Sequence, residues 1–215
     1  MKGMRKRISL KTRRADLSPA QFRDHYENRH VPLGLRFIET FRWRRYVRNH
    51  ILESFGAPVS FDCYAEFWVD EEFDDAALDF FISSPEFQVL NDDDRRFLDI
   101  TQRLSFDLAE TPIAETRDPG RSVMKYAVIW KAGEEPGLDS LGAARRIVDS
   151  LGERVIEAVL DTANSVISPE APFDTLLTLG LGDVTPLALS AIVAPGDRWS
   201  LLAIEPIETP LEQLR

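Results

Sequence analysis

Three histidines are the side chains of this 215-residue chain best suited to acid–base chemistry near neutral pH. His25 and His30 lie five residues apart in the stretch HYENRHVPLGLRF, and His50 follows further along. The second half of the chain contains neither histidine nor cysteine. Any proton transfer by the protein is therefore expected in the first half.

The stretch before the second histidine has the features of a helix. Ser18 is a predicted N-cap, with Pro19 at the first helical position, and the helix should end near His30 because Pro32 disfavours helical geometry just before it. A spacing of five places two imidazoles on different helix faces, so no metal pair is expected. His25 is expected in solvent. His30 is either a capping residue at the helix C-terminus or a pocket residue.

Two predicted strands, 41–52 and 59–69, carry the remaining polar candidates. Alternation in the second strand places Cys63 among apolar residues on a face that suits burial under helices. The opposite face carries Asp62, Tyr64, Glu66 and Trp68. In the first strand, the side chains expected to point with Glu66 away from the helices are Tyr46, Arg48 and His50, and those expected under the helices are Trp43, Val47 and Ile51.

This shared face has two interpretations. It can supply a general base, its orienting partner and groups that stabilise an oxyanion. Alternatively, it is a wet interface between two sheets, in which Glu66 pairs with Arg48 and His50 bonds a backbone carbonyl.

The predicted elements follow the order β-α-β-β-α-β twice. Strands are expected at 6–14, 41–52, 59–69, 101–110, 123–132, 154–167, 173–184 and 199–208, and helices at 19–30, 74–99, 138–152 and 185–193. A polar linker is expected over 110–122. The fold class is therefore α+β, with two tandem ferredoxin-like βαββαβ units at 1–110 and 122–215. Their uncovered sheet faces are expected to pack into a fused α+β barrel pseudo-dimer, and a further homodimer is left open.

Composition narrows the classes of function. One cysteine, Cys63, excludes a disulfide framework, and no run reaches the ~18 apolar residues of a membrane span, so the default location is the cytoplasm. Residues 1–50 carry a charge balance of +10 and residues 51–215 one of −20. That acidic remainder disfavours nucleic acid. A basic pocket for a small anion stays open.

Four stretches resemble the EthD family of the dimeric α+β barrel superfamily. They are LSPAQFRDHYENRHVPLGL, RWRRYVRNHIL, FDCYAEFWVD and SPEFQVLNDDDRRFLD. The resemblance covers residues 5–110. The resemblance implies a ferredoxin-like sheet with a small hydrophobic cavity. It also implies reactions on small organic molecules without a bound cofactor, such as ether degradation, lactone isomerisation, and dehydration or decarboxylation of aromatic polyketides. The second half carries none of these motifs.

These observations lead to two hypotheses of different classes. The first is a cofactor-independent enzyme, of the dehydratase, decarboxylase, isomerase or oxygenase type, for a small hydrophobic, aromatic or carboxylated metabolite. The residue roles in it are His50 and Glu66 for protons, Tyr46 and Tyr64 for an oxyanion, Arg48 and Asn49 for substrate binding, Trp68 for the cavity wall and His30 for its mouth. The second is a non-catalytic binding or accessory protein that uses the same cavity. Haem binding is a weaker alternative, and no metal is expected.

Overall fold

The computed structural model describes residues 4–70, 82–114, 123–131, 139–163, 171–182, 184–193 and 199–214. Its elements follow the order β-α-β-β-α-β twice, in a mixed α+β fold with antiparallel strand pairs. The chain divides into two compact units. The first unit comprises residues 1–50, 60–106 and 207–215, and the second comprises 51–59 and 107–206.

The sheet of the first unit is built from β1 (Met4–Lys11), β2 (Trp43–Gly56), β3 (Cys63–Asp70) and the beginning of β4 (Leu104–Ala114). β3 pairs antiparallel with both β1 and β2. The hydroxyl of Ser105 in β4 donates to the hydroxyl of Ser9 in β1 at 2.9 Å. The strand order in this unit is therefore β4-β1-β3-β2.

Helices cover one face of this sheet. They are α1 (Pro19–His25), α2 (Val31–Leu35), α3 (Ile38–Phe41) and α4 (Pro85–Phe97). Ser18 caps α1 as predicted, in a capping box with Gln21. Phe22, Tyr26 and Phe97 pack with the fully buried Cys63 beneath the helices. This helix-covered face contains the candidate site.

The prediction that the first helix ends at His30 is wrong. A π-helical turn, Tyr26–His30, continues from α1 directly into α2, and the amide of Val31 donates to the carbonyl of Tyr26. Pro32 is the second residue of α2, directly after the π-helical turn, where the regular i→i−4 hydrogen-bond pattern is already interrupted. The helical path therefore extends past the proline to Leu35.

The prediction for the side-chain directions of β2 is also wrong, and a β-bulge is the reason. Trp43 pairs with Val69 but Arg45 pairs with Trp68, so Arg44 is an extra residue in the ladder. One inserted residue reverses the face of every later side chain. Trp43 lies under the helices as expected, but beyond the bulge the helix-side residues are Tyr46, Arg48 and His50 rather than Val47 and Ile51.

Other boundaries differ modestly from the sequence prediction. β4 extends to Ala114, into the predicted linker, because its residues 108–114 pair with the next sheet strand, β6 (Val155–Ala163). The predicted helix at 74–99 is described only from residue 82, and the rest of the predicted linker, 115–122, also lies outside the described residues. No helix in the described part of the chain is long and apolar enough to cross a membrane.

The second unit repeats the element order with β5 (Met124–Trp130), α5 (Ser140–Leu151), β6, β7 (Thr175–Leu181), α6 (Pro186–Val193) and β8 (Trp199–Glu208). β5 pairs with β7 and β8, and β7 pairs with β6. Aliphatic side chains and the stacked rings of Trp130 and Trp199, 4.5 Å apart, form its core. No side chain of that core cluster is ionisable near neutral pH.

Position 56, at the end of β2, requires glycine because of both its backbone conformation and the atoms around it. Its φ is +85°, and a Cβ there would lie 2.3 Å from the carbonyl oxygen of Trp199. We expect Gly56→Ala to lower the free energy of unfolding by about 1–3 kcal/mol, measured by urea denaturation. Gly152→Ala is the control, because Gly152 also has positive φ but its Cβ would meet nothing within 4 Å. Equal losses in both variants would contradict a steric contribution at Gly56.

Candidate functional site

A cavity of about 220 Å³ lies in the first unit, between the helices and the helix-covered face of the sheet. We call it the helix-side cavity. Its polar lining residues are Ser9, Lys11, Tyr26, His30, Tyr46, Asp94, Arg103 and Ser105. Its apolar lining residues are Gly34, Phe41, Trp43, Phe67, Ile82, Phe87 and Leu90. Aromatic walls with a few convergent polar groups are typical of small-molecule sites.

One carboxylate joins the two histidines of the opening stretch. His25 Nε2 lies 3.0 Å from Asp93 Oδ1, and His30 Nδ1 lies 3.0 Å from Asp93 Oδ2. The expectation that a spacing of five separates the two imidazoles, and that His25 is solvated, is therefore wrong. The π-helical turn between them widens the helix, so that both rings reach the same partner on α4. Within the described residues, no group of three or more ligating side chains could hold a metal ion.

These contacts fix the proton positions on both rings. Burial by itself raises the pKa of Asp93, but the hydrogen bonds from His30 and His25 outweigh it and lower that pKa. An ionised carboxylate only accepts, so His30 must donate from Nδ1 and His25 from Nε2. His30 Nε2 is then the ring nitrogen that remains for a ligand.

Asp94 is the second acid of the site and has an unused acceptor. Its Oδ2 accepts from Arg103 at 2.6 Å, whereas its Oδ1 has no hydrogen-bond partner among the described residues. Oδ1 lies 3.6 Å from His30 Nε2, beyond an ordinary hydrogen bond. Asp94 is only 8 % exposed, so this oxygen is a buried acceptor on the wall of the cavity.

Two phenols meet at the same cavity. The hydroxyl oxygens of Tyr26 and Tyr46 are 3.1 Å apart, and both residues are almost fully buried. Burial is the main cause that raises the pKa of Tyr26 and of Tyr46, so both stay protonated at neutral pH. One phenol donates to the other, which leaves a second O–H that can donate to an oxyanion in the cavity.

A partly buried ion-pair network lies next to the phenol of Tyr46. Arg48 donates to Glu27 at 2.9 Å and to the hydroxyl of Thr209, and its guanidinium lies 4.7 Å from the ring centre of Tyr46. His50 Nε2 lies 2.7 Å from Glu27 Oε1. The lining of the cavity does not include His50 or Arg48. These two residues therefore affect the cavity only indirectly. Both bind Glu27, and Arg48 also lies against the ring of Tyr46.

Glu66 and its neighbours lie on the opposite face of the same sheet. Glu66 forms an ion pair with Lys6 at 2.7 Å and accepts from Asn49 at 2.8 Å, and all three residues are buried. Tyr64 and Trp68 share that face with Glu66, as the alternation of β3 predicted. The predicted pairing of Glu66 with His50 or Arg48 is wrong, because the bulge in β2 turns those two side chains to the helix side.

Of the predicted catalytic residues, the structure therefore brings Tyr46 and His30 to the cavity and places His50 and Glu66 elsewhere. Sequence reasoning missed the two acids of α4. Their signal was periodic: Leu90, Asp93, Asp94 and Phe97 have the i, i+3, i+4, i+7 spacing of a core-facing helix stripe. Two carboxylates on a buried stripe need specific partners.

Because of the hydrogen bonds to Asp93, the free energy of unfolding is expected to depend on pH in the acid range. Since the folded-state pKa of Asp93 is depressed, its stabilisation is present above the unfolded pKa near 4 and is lost as the pH falls through the lower folded value. We expect Asp93→Asn to cost about 1.5–3 kcal/mol at pH 7. We also expect a shallower loss of stability between about pH 4 and pH 2 than in the wild type. Urea denaturation across this range measures both, and parallel pH profiles would contradict the assignment.

Residues 14–101 match the family model of the EthD domain. The match confirms the resemblance in the first half of the chain, and it contains His30, Tyr46, Asp93 and Asp94. No curated protein matches the chain. Among solved structures, the chain is similar to a protein from Lactobacillus acidophilus that is provisionally named as a monooxygenase, with 9% identity, a TM-score of 0.45, and coverage of 96% of this chain and 99% of that chain. It is also similar to a protein from Fusobacterium nucleatum with the same provisional name, with 10% identity, a TM-score of 0.43, and coverage of 94% of this chain and 91% of that chain. A third, provisionally named as a chlorite dismutase, has 8% identity, 94% and 95% coverage and a TM-score of 0.47.

Proposed function

We propose that the protein is a cofactor-independent enzyme that transfers a proton on a small, mainly apolar carbonyl compound bound in the helix-side cavity. The observation that carries this proposal is the orientation of His30. Asp93 holds its Nδ1–H, so that Nε2 is available at a cavity that also contains the Tyr26–Tyr46 phenol pair. A carboxylate-oriented imidazole beside neutral hydroxyl donors is a recurring arrangement for proton abstraction next to a carbonyl group.

Each group has one task in this reaction. His30 Nε2 takes a proton from the carbon beside the carbonyl, and the positive charge that forms on the ring is stabilised by Asp93. The carbonyl oxygen gains negative charge and accepts a hydrogen bond from the Tyr26–Tyr46 pair. Isomerisation and dehydration can both begin with such a step, which fits the reaction types implied by the EthD resemblance.

The apolar wall defines the kind of substrate. Trp43 and Phe67 have ring centres 4.8 Å apart, and Tyr46 stacks on Phe67 at 4.7 Å. Such rings favour a flat, aromatic or conjugated molecule, which can stack on them. Arg103 is already paired with Asp94, so an anionic substrate group would compete with an existing ion pair. The preferred substrate is therefore a neutral aromatic or conjugated ketone rather than a carboxylate.

The second half of the chain is proposed to have a structural role, because its core cluster has no side chain that is ionisable near neutral pH. The strand order β4-β1-β3-β2 and the repeated β-α-β-β-α-β order support the proposal of two tandem ferredoxin-like units. We retain as proposals the boundaries 1–110 and 122–215, the pairing of the two units as a fused barrel, and a homodimer. Size-exclusion chromatography with light scattering would test the homodimer.

Hydrogen–deuterium exchange on a model ketone tests the proposed activity without knowledge of the natural substrate. The protein is incubated with 2-tetralone, a small enolisable aromatic ketone, in deuterated buffer, and the proton signal beside the carbonyl is followed by NMR. We expect exchange at about 10²–10⁴ times the rate with an equal concentration of imidazole, the range typical of a positioned base.

Two other outcomes contradict the proposal. If the ketone binds saturably, as seen by line broadening, but exchanges no faster than with imidazole, the non-catalytic binding protein is favoured. If neither binding nor exchange occurs and mass spectrometry of the purified protein detects no small aromatic ligand, the cavity is not a site for this class of molecule.

A further inference from the structure

Lys11 is a cavity residue that the proposed proton transfer does not use. It is the last residue of β1 and lies on the helix-covered face, because it pairs with Cys63 in the sheet register. Its side chain lines the helix-side cavity together with Tyr26, Tyr46 and Asp94. Among the described residues, its ammonium group has no hydrogen bond or ion pair, although Asp94 and Arg103 act on it electrostatically.

Lys6 shows what a structural lysine looks like on the same strand. Lys6 is 5% exposed, and its Nζ lies 2.7 Å from a carboxylate oxygen of Glu66. A buried ammonium is normally paired in this way, because an unpaired charge in low dielectric is costly. Lys11 is half-buried, and no ion pair among the described residues holds its ammonium group as Glu66 holds that of Lys6.

We propose that Lys11 is a nucleophilic amine that condenses with the carbonyl group of a small aromatic aldehyde or ketone in the helix-side cavity. This inference concerns the same cavity as the proposed function, but it requires only that the cavity admit such a molecule. Desolvated lysines in apolar pockets are known nucleophiles for carbonyl groups. Burial, aided by the positive charge of Arg103, lowers the pKa of Lys11, while Asp94 opposes that change.

The step is balanced without any redox partner. The Nζ lone pair attacks the carbonyl carbon, and the carbonyl oxygen takes a proton to become the hydroxyl of a carbinolamine. That hydroxyl then leaves with one proton as water, which gives the C=N bond of an imine. The neutral phenols of Tyr26 and Tyr46 line the same cavity and are suited to donate the proton to the oxygen.

Reductive trapping tests the proposal. The full chain is incubated with benzaldehyde and sodium cyanoborohydride at neutral pH, and benzylated lysines are located by peptide mass spectrometry. We expect Lys11 to react at least about ten-fold faster than the other lysines, since each ten-fold gain in neutral amine gives a ten-fold gain in rate. The internal comparisons are Lys6, paired with Glu66, and Lys125, paired with Glu157. Label spread evenly over the lysines, or absent from Lys11, would overturn the proposal.

Lys11→Arg is the matched variant, because arginine keeps the positive charge but does not form an imine under these conditions. We expect it to lose the fast-reacting site while the slow background remains. If the variant does not fold, the position of the label in the wild type decides the question alone. Label on Lys11 without exchange of 2-tetralone would support this inference and contradict the proposed function. If the wild type shows no label on Lys11 and 2-tetralone exchange persists in Lys11→Arg, the result would contradict this inference and support the proposed function.

Discussion

Replacing His30 by asparagine is expected to slow the exchange of 2-tetralone by about 10²–10⁴-fold, the full contribution of a positioned general base. Asparagine can still donate to Asp93 from its amide, so the hydrogen bond at 3.0 Å has a substitute. It cannot accept a proton near neutral pH. The variant therefore removes the chemistry of Nε2 while it preserves a donor for the buried carboxylate.

His50→Asn is the control for this measurement. His50 is as buried as a core residue, at 4% exposed, but it bonds Glu27 and does not line the cavity. We expect its exchange rate to stay within a few-fold of the wild type. A large loss in His50→Asn with little loss in His30→Asn would contradict the assignment and restore His50 as the base predicted from the sequence. Circular dichroism and thermal melting of both variants would show whether each one folds.

Replacing Glu27 by glutamine is expected to lower the free energy of unfolding by about 3–5 kcal/mol, the typical cost of breaking a buried ion pair. Burial by itself raises the pKa of Glu27, but the hydrogen bonds from His50 and Arg48 outweigh it and lower that pKa. The Arg48 side chain is only 4% exposed. Without the negative charge of Glu27, its guanidinium would still donate to the hydroxyl of Thr209 but would have no compensating charge.

Glu208→Gln provides the matched comparison. Glu208 forms a two-bond ion pair with Arg45, but both side chains are 48% exposed. Solvent-exposed pairs contribute about 0–1 kcal/mol, so we expect a change within that range by urea denaturation. Equal losses in the two variants would contradict the view that burial makes the Glu27 network important. Glu27→Gln should also alter the ultraviolet titration of the buried tyrosines, since Arg48 lies over the ring of Tyr46.

Much of the local structure follows from the sequence. Ser18, Pro19 and Gln21 define the start of α1. The side chains of Ser18 and Gln21 accept from each other's backbone amides, which the helix cannot satisfy internally, and Pro19 has no amide hydrogen to satisfy. The alternation of β3 correctly separates Cys63 from Glu66, since successive strand residues point to opposite faces. His30 and Tyr46, both named from the sequence, line the cavity.

Two irregularities of the backbone explain most of the errors. The bulge at Arg44 reversed the side chains of β2 after Trp43, which moved His50 and Arg48 away from Glu66. The π-helical turn at Tyr26–His30 brought together two histidines that a regular α-helix would separate. The bulge is one extra residue and the π-helical turn is five residues long, and the surrounding composition does not distinguish either from a regular element.

The sequence by itself determined the order of the elements, the apolar face of β3 and the family resemblance of residues 14–101, because these depend on short-range periodicity and local motifs. Tertiary structure alone decided that Asp93 would orient His30 and that Glu27 would hold Arg48. Those partners are 63 and 21 residues apart along the chain. Their contacts depend on how the helices pack on a sheet in which the register of β2 shifts by one residue. Local propensity carries no information about that shift.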